Sequence, residues 1–322
     1  MNKFVQFGLF TLFIVFIFEL VMFAPEDILE GRDPYEEVTD DQEQVQQAMV
    51  GVHLVETLEG KKEWELWAEK ALNYKQSQSW QLDVVRMIFF TEKGDKYIVT
   101  GKKGEVNSED KTIHIEGDVV VRSQNGYKFS TKLVEYSTES RKIRGPHPIE
   151  MLGPRDINGN SLYLTGQSMI ADMTSSDITI NKNIRARKVF ANERLVKIES
   201  DLANFSGKAY TSLFEGNVVL DSESMRITGP EAFFQFDPGS DQVVSIKMVG
   251  GVRVSDPDKW ATAHSLIAFF NEDRFVFKGN PRVVQDADEL RGDEIIFIDG
   301  GKKVKVLRAK AKLDKNGLEN FN

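Results

Sequence analysis

The chain of 322 residues contains no cysteine, which excludes disulfides, thiolate metal ligands, a cysteine nucleophile and a lipidated cysteine. Histidine is also scarce. The four histidines (His53, His114, His147 and His264) lie far apart, without a metal-ligand spacing such as H-x-x-x-H. The sequence also has no Walker A loop, no nucleophile elbow and no spaced set of histidines and carboxylates. We therefore expect a protein without a metal, a cofactor or catalytic residues.

Basic charge of the kind that binds nucleic acid is absent too. The net charge is −9, and segment 24–47, with nine acids and one arginine, accounts for −8 of it. Residues 1–23 are neutral overall because Lys3 offsets Glu19, so the body of the protein carries about −1. A nearly neutral body offers no basic stripe to a phosphate backbone. No nucleic-acid partner is expected.

A sustained 3.6-residue apolar period is missing beyond about Met49. Apolar and polar residues alternate instead, and Gly, Asn, Asp and Pro interrupt them. In "TIHIEGDVVV", Ile113, Ile115, Val119 and Val121 all fall on one parity. A strand with one buried face needs this arrangement, because successive side chains point to opposite faces. The alternation predicts an all-β fold.

One short pattern recurs along the body. The counterparts of Gly216 in "FEGNVVL" are Gly117, Pro146, Lys182, Gly250 and Gly279, at steps of 29, 36, 34, 34 and 29 residues. In the later units an apolar strand, a polar turn and a second strand follow, which is typical of a hairpin. A period in the thirties favours repeated supersecondary units. We predict an elongated, open β-jelly-roll of antiparallel hairpins, with apolar residues between two facing sheets; a parallel β-helix is the alternative.

The long apolar run is "FVQFGLFTLFIVFIFELVMF", Phe4 to Phe23. At ~1.5 Å per residue it can cross a hydrocarbon core of roughly 30 Å. No small-residue cleavage site follows it, which favours an uncleaved transmembrane signal-anchor (1–23) over a cleaved signal peptide. Lys3 suggests a cytoplasmic amino end, and the acidic segment 24–47 is predicted to be a flexible linker. Glu19 either faces a partner helix or reaches the membrane interface.

The body resembles two known families. The anchor, "WELWAEKA", "GEVNSEDKTIHIEGDVVV", "YKFSTKLVEY" with "RGPHPIEM", and "LYLTGQSMIADMTSSDITINKNIRARK" resemble the LptC family, the membrane-anchored periplasmic component of the lipopolysaccharide-export bridge. "KIESDLANFSGKAYTSLFEGNVVL", followed by "MRITGPEAFFQFD", resembles the soluble LptA or OstA family of the same pathway. We therefore predict an LptC-like jelly-roll at 48–191, an LptA/OstA-like jelly-roll at 192–313 and a tail at 314–322. Both types in one chain are unusual, which leaves open whether a separate soluble bridge protein is still required.

The resemblance implies a non-enzymatic, single-pass inner-membrane protein with its body in the periplasm. Such a protein takes lipopolysaccharide from an inner-membrane ABC transporter and passes it along a β-groove toward the outer membrane. Exposing acyl chains to water costs about 0.8 kcal/mol per CH₂, so the path needs an apolar lining. The candidate lining residues are Ile115, Val119, Val121, Phe234, Phe236, Ile246, Met248, Phe269, Phe275, Phe277, Ile295 and Phe297.

The ends of an open sheet leave strands unpaired, and a partner chain can pair there. The last strand candidate, "KKVKVLRAKAKL", carries lysines on its polar side and changes phase at Val306–Leu307, which suggests a bulge. We expect the edge formed by Val304, Val306, Leu307 and Ala309 to dock a further periplasmic or outer-membrane bridge protein. An ordinary protected edge is the alternative.

The other end of the sheet is expected to meet the transporter. Glu19, Trp64 and Trp67 are the candidate transporter-facing residues. The two tryptophans lie on opposite parities, so one should be inside and one outside. Core packing is the competing explanation for both.

Two other functions also fit the composition. A structural envelope scaffold would have a sealed apolar core and bind no lipid. A carbohydrate-active β-helix enzyme would need acids clustered along one face, whereas the pair Asp286 and Asp288 lies in a predicted turn, where solvated charge is usual. The 22 phenylalanines and the family resemblance favour the lipid groove.

Overall fold

The computed structural model describes residues 45–312, with gaps at 59, 75–76, 92–93, 191–192, 207–209, 241 and 300. The predicted membrane anchor, including Glu19, and the tail at 314–322 lie outside the described residues. Within the described residues, no helix has the length and hydropathy needed to cross a bilayer. The first strand begins at Val45, so the last three residues of the predicted linker belong to the sheet.

The described residues form strands and one short 3-10 helix, Phe270–Glu272. The strands are β1 Val45–Leu58, β2 Lys61–Tyr74, β3 Ser79–Phe90, β4 Lys96–Asn107, β5 Thr112–Ser123, β6 Lys128–Ser137, β7 Lys142–Gly145, β8 Ile149–Arg155, β9 Ser161–Gly166, β10 Ser168–Asp172, β11 Asp177–Val189, β12 Leu195–Ser206, β13 Thr211–Ser222, β14 Met225–Phe236, β15 Val243–Asp256, β16 Lys259–Phe269, β17 Arg274–Lys278, β18 Arg282–Gln285, β19 Asp288–Arg291, β20 Glu294–Ile298, β21 Lys303–Leu307 and β22 Lys310–Lys312. From β2 onward the pairs with a defined register are antiparallel. The predicted all-β class is confirmed.

The recurring sequence pattern marks a bulge in the middle of a strand. At Gly117–Asp118, Lys182–Asn183, Gly216–Asn217, Gly250–Gly251 and Gly279–Asn280, both residues have positive φ. In β5, β11, β13 and β15 the pairing register shifts at these positions. Two consecutive residues with left-handed dihedral angles bend a strand sharply. Gly and Asn are favoured there because they adopt these angles most readily. The two other positions lie between strands: Gly279 separates β17 from β18, and Pro146 separates β7 from β8.

These bulges divide the sheet into two layers. β6 pairs with both β7 and β8, β11 with both β10 and β9, and β16 with both β17 and β18. Layer 1 therefore contains β7, β10, β17, β20 and β21, and layer 2 contains β8, β9, β18, β19 and β22. Each long strand contributes one half to each layer. The hairpin turns lie at the edge away from the bulges, and we call this edge the seam.

The sheet continues through the predicted domain boundary at 191–192. β11 and β12 flank that boundary and pair along their length, from Asp177–Ser206 to Val189–Leu195. The described residues from Gln46 onward also cluster as one compact unit. The two predicted jelly-rolls therefore share one continuous pair of layers.

The core lies between the layers, and cross-strand pairing aligns its residues into rows. In layer 2, one row is apolar at each described step from β2 to β19: Leu66, Met87, Val99, Val121, Phe129, Met151, Leu164, Ala186, Ile198, Leu220, Ile227, Val254, Ala261, Val283 and Leu290. These residues are buried as far as Ala261, and the last two are half-buried. Neighbouring strands lie about 4.8 Å apart, so the row extends over about 67 Å of sheet.

Layer 1 carries a matching row with one polar member. It runs through Ile143, Ala171, Ile178, Phe205, Ser212, Phe234, Ile246, Ala268, Phe275 and Phe297. The side chain of Ser212 is buried, and its hydroxyl finds no hydrogen-bond partner among the described residues. A buried hydroxyl of this kind costs about 1–3 kcal/mol.

Replacement of Ser212 by alanine should therefore leave the free energy of unfolding unchanged or raise it by about 1 kcal/mol. Ser200 provides a matched control, because it is also buried but its Oγ donates to Leu202 O at 2.9 Å. Ser200→Ala should lower the free energy of unfolding by about 1 kcal/mol. Chemical unfolding of the full chain in detergent measures both. A larger loss for Ser212→Ala than for Ser200→Ala would contradict this account.

The bulges also predict that alanine substitutions at two adjacent glycines lower the stability of the protein by different amounts. Gly250 and Gly251 both have positive φ, so alanine is strained at either position by about 1 kcal/mol. A Cβ atom at Gly250 would lie 2.5 Å from Pro230 Cγ, whereas one at Gly251 would meet nothing within 4 Å. Gly250→Ala should therefore destabilise the protein by about 1–3 kcal/mol more than Gly251→Ala. Thermal unfolding of the two variants tests this, and equal losses would refute the close approach.

Candidate functional site

The candidate site is the space between the apolar faces of the two layers. Its walls are the two rows described above and a second layer 1 row, Ala232, Met248, Leu266, Phe277 and Ile295. Ring contacts join the layers: Phe89 of β3 lies 4.5 Å from Tyr136 of β6, and Tyr127 lies 6.3 Å from Phe205. The faces pack together over most of their length. A lipid could enter only where the seam opens or where the layers part.

The structure brings most of the predicted lining residues onto these inner faces. Phe234, Ile246, Phe275 and Phe297 share one row, and Met248, Phe277 and Ile295 share the next. In the first half, Val121 belongs to the layer 2 row, while Ile115 and Val119 are buried on either side of the bulge in β5. Phe236 is half-buried and packs against the same core.

Phe269 differs from the other predicted lining residues. It is the last residue of β16 and lies between buried Ala268 and buried Phe270, whereas its own side chain is half-buried. The Arg274 guanidinium lies 3.7 Å from its ring centroid. Because neighbouring strand residues point to opposite faces, Phe269 belongs to the outer face of layer 1. Sequence alternation alone misassigned it, since the hairpin partner of each residue was unknown.

Two cavities open along the seam. The first has a volume of about 340 Å³ and lies between layer 2 turns at Asp95–Tyr97 and Ser123–Tyr127 and layer 1 residues that include Phe205, Tyr210 and Phe236. Its wall is mixed, with tyrosine rings beside amides and hydroxyls. Burial raises the pKa of the Tyr97 phenol, and the carboxylates of Asp95 and Asp177 raise it further. Tyr97 therefore remains a neutral hydrogen-bond donor at neutral pH.

The second cavity, of about 250 Å³, lies nearer the carboxyl end. Its floor is apolar and includes Phe275, Phe277 and Phe297 of layer 1 and Met225, Val254, Trp260 and Val283 of layer 2. Its rim is charged and contains Arg194, Glu223, Asp256, Lys259 and Asp273. An apolar floor beneath a charged rim suits an amphipathic ligand.

Cations surround the ring of Trp260, which borders the second cavity but, next to inward-facing Ala261, belongs to the outer face of layer 2. The guanidinium groups of Arg282 and Arg253 lie 4.9 and 5.5 Å from its ring centroid. Arg282 also donates to Glu289 at 2.9 and 3.1 Å. Hydrogen bonds from Arg282 and Arg291 lower the pKa of Glu289 from 4.5 to about 2. Glu289 therefore stays ionised at ordinary pH and keeps Arg282 in place.

The residues predicted to face the transporter lie at the amino-terminal end of the sheet. Trp64 is buried on the inner face, and its indole nitrogen finds no hydrogen-bond partner among the described residues. Trp67 lies on the opposite face, where it stacks on His53 at 4.7 Å and lies 5.3 Å from the Arg86 guanidinium. The prediction of one tryptophan inside and one outside is confirmed. Glu19 lies outside the described residues.

At the carboxyl end, the predicted last strand divides in two. β21 pairs with β20 in layer 1, and β22 pairs with β19 in layer 2. The left-handed Arg308 separates them, and this explains the phase change at Val306–Leu307 without a bulge inside one strand. Val304 and Leu307 are 46% and 59% exposed, Val306 is half-buried and Ala309 is exposed.

Sequence reasoning named one member of the layer 2 row, Val121, and missed the others, because strand register is needed to place residues of distant strands in one row. It named phenylalanines that line the cavities (Phe236, Phe275, Phe277 and Phe297) but missed Tyr97, Tyr127 and Phe205 of the first cavity. Among the described residues, no cluster of three or more histidines and carboxylates could hold a metal ion. The site offers burial for apolar groups and charge at its rim, with no reactive constellation.

Comparisons with known proteins agree with this geometry. Residues 11–189 match the family described as lipopolysaccharide-assembly, LptC-related. Residues 197–300 match the family described as LptA/(LptD N-terminal domain) LPS transport protein. No curated protein matches the chain significantly.

Among solved structures, the chain is similar to LptH from Pseudomonas aeruginosa, described as the LptA homologous periplasmic component of the conserved lipopolysaccharide transport device. The alignment covers 37% of this chain and 94% of that one, at 17% identity and a TM-score of 0.34. The first family match spans more than half of the chain, and the second follows directly behind it. The chain therefore belongs to the LptC-related family of lipopolysaccharide-assembly proteins, which are non-enzymatic transport components, and it carries an LptA-like domain behind the LptC-like one.

Proposed function

We propose that this protein is anchored in the inner membrane by residues 1–23, receives lipopolysaccharide from an ABC transporter and passes it between its two layers toward the outer membrane. The observation that carries the proposal is the apolar layer 2 row from Leu66 to Leu290. It crosses from the LptC-matched part into the LptA-matched part without a polar residue. A lipid chain that follows this row remains out of water throughout.

The physical need for such a row follows from the cost of hydrating lipid chains. Each exposed CH₂ costs about 0.8 kcal/mol, so several acyl chains of a dozen carbons cost tens of kcal/mol. A single polar interruption would raise a barrier at that step. The layer 2 row has no polar member, unlike the layer 1 row with Ser212, so one side of the path stays apolar along the row.

The two ends of the sheet are proposed as docking sites. The carboxyl-terminal edge (Val304, Val306, Leu307 and Ala309) presents apolar side chains among lysines, which discourage casual strand pairing but permit a selected partner. We assign this edge to a further periplasmic or outer-membrane bridge protein. At the amino-terminal end, we assign the contact with the transporter to Glu19 and to the surface around Trp64 and Trp67, of which Trp67 presents its ring to the outer face.

A structural scaffold is the second candidate function, and one observation favours it. Most inner-face residues are already buried against the opposite layer, as in a sealed core. The second seam cavity, with its apolar floor and charged rim, favours the transport function instead. The two functions differ in whether lipid ever reaches the inner faces.

Site-specific photocrosslinking in cells distinguishes them, and two adjacent phenylalanines provide the matched pair. Phe234 points inward and is buried, whereas Phe233 points outward and is 38% exposed. A photoreactive phenylalanine analogue at position 234, or at Ile115, should give lipopolysaccharide adducts that depend on ATP. The analogue at position 233 should give at least tenfold fewer.

The proposal would be wrong if a folded, membrane-localised protein gave no adducts at 234 or 115. Equal labelling at 233 and 234 would indicate non-specific contact with lipid rather than a path between the layers. The phenylalanine at 269, on the outer face, serves as a second control and should behave like 233.

A further inference from the structure

Among the contacts that join the layers across the seam, one group combines a ring contact with an ion pair. Phe190 and Arg194 belong to the turn between β11 and β12 in layer 2, and Phe270 and Asp273 belong to the turn between β16 and β17 in layer 1. The rings of Phe190 and Phe270 lie 5.3 Å apart, and Arg194 Nη1 donates to Asp273 Oδ1 at 3.0 Å. We call these four residues the clasp.

The clasp is well packed. Phe190 and Phe270 are 4% and 2% exposed, although both lie in turns. Asp273 adopts a left-handed backbone conformation as the carboxyl-terminal cap of the 3-10 helix, which directs it away from the helix. Arg194 Nε also lies 3.6 Å from Glu223 Oε1, so one guanidinium holds two carboxylates from different layers. The ion pairs of Arg194 therefore hold the turns together next to the contact between the rings of Phe190 and Phe270.

The clasp forms the wall of the second cavity on the side that faces the first, since Arg194 and Asp273 belong to the rim of the second cavity. Along layer 2, the turn at Ser123–Tyr127 lines the first cavity, the clasp turn follows, and Ser222–Met225 lines the second. Along layer 1, Phe236 and Pro238 line the first cavity, the clasp turn follows, and Phe297 and Gly301 line the second. The clasp thus separates two openings of one seam.

The clasp also coincides with the junction between the two family matches. Phe190 and Arg194 fall between residue 189, where the LptC-related match ends, and residue 197, where the LptA match begins. Their partners, Phe270 and Asp273, lie inside the second match. The clasp therefore joins the junction between the two matches to a turn inside the second match.

We propose that the clasp is a gate in the lipid path, and this inference rests on the function proposed above. A lipid with its acyl chains between the layers must keep its polar headgroup in water. The connection between the buried chains and the exposed headgroup can pass only through the seam. Such a lipid cannot move from the first opening to the second while Arg194 and Asp273 are joined. An anionic headgroup opens the gate by replacing Asp273 as acceptor, since phosphate oxygens also accept charge-assisted hydrogen bonds from a guanidinium.

The absence of cysteine allows a direct test, because an introduced pair has no competing thiols. The double variant Arg194→Cys with Asp273→Cys is treated in cells with a bis-methanethiosulfonate, which links the two turns until a reductant is added. A photoreactive analogue at Ile115 or at Phe277 reports lipopolysaccharide before and after the gate. Linking should reduce adducts at 277 at least tenfold, leave those at 115, and be reversed by reductant.

The control is an ion pair that does not cross the seam. Arg226 donates to Asp221 at 2.7 and 2.8 Å within one hairpin of layer 2, on the solvent side. The linked variant Arg226→Cys with Asp221→Cys should give the same adducts at 277 as the unlinked protein. Recovery of labelling after reduction shows that the linked gate variant was folded.

A second measurement isolates the role of charge. Arg194→Asp alone places like charges across the seam and should raise the ratio of adducts at 277 to those at 115, whereas Arg194→Asp with Asp273→Arg should restore the original ratio. Undiminished labelling at 277 in the linked protein would overturn the gate. No labelling at either 115 or 277 in the unmodified protein would instead overturn the proposed transport function.

Discussion

The fold depends on one backbone constraint: each long strand must bend at its middle so that its two halves can face each other across the core. Pairs of left-handed residues, such as Gly216–Asn217 and Gly250–Gly251, make this bend. Gly216 and Gly250 are needed for space as well as for dihedral angle, since a Cβ atom would lie 2.5 Å from Asp201 Oδ2 at the first position and 2.5 Å from Pro230 Cγ at the second. Without the bends, the strands would form one flat sheet with an exposed apolar face.

The bends also align the residues of the apolar interior into rows. Because each hairpin repeats the same bend in register with its neighbour, residues at equivalent positions align from strand to strand. The layer 2 row from Leu66 to Leu290 results from this alignment, and it continues where the LptC-related part gives way to the LptA-like part. Repetition of a local turn thus produces a long apolar surface, which no single hairpin could supply.

Most of the charge lies at the edges of this arrangement. The seam carries the ion pairs of Arg194 with Asp273 and of Arg141 with Glu63, the latter with Arg141 Nε 3.2 Å from Glu63 Oε1. Burial raises the pKa of Tyr136 to about 12, and the nearby Glu63 carboxylate contributes to the same shift. Most polar groups therefore border the apolar interior. The buried exceptions include Ser212 and the ion pair of Lys188 with Asp156, whose Nζ and Oδ2 atoms lie 2.7 Å apart.

The amino-acid sequence by itself determined the all-β class, the antiparallel hairpins, the repeat and the resemblance to the lipopolysaccharide-export families. These properties are local: alternation requires one buried face, and a Gly-Asn pair tolerates left-handed dihedral angles wherever it occurs. Tertiary structure alone decided that Phe269 faces outward, that residues 303–312 split between the layers, and that Phe190 meets Phe270 across the seam. Each of these depends on the partner strand and register of a residue far away in the chain, which local sequence pattern does not specify.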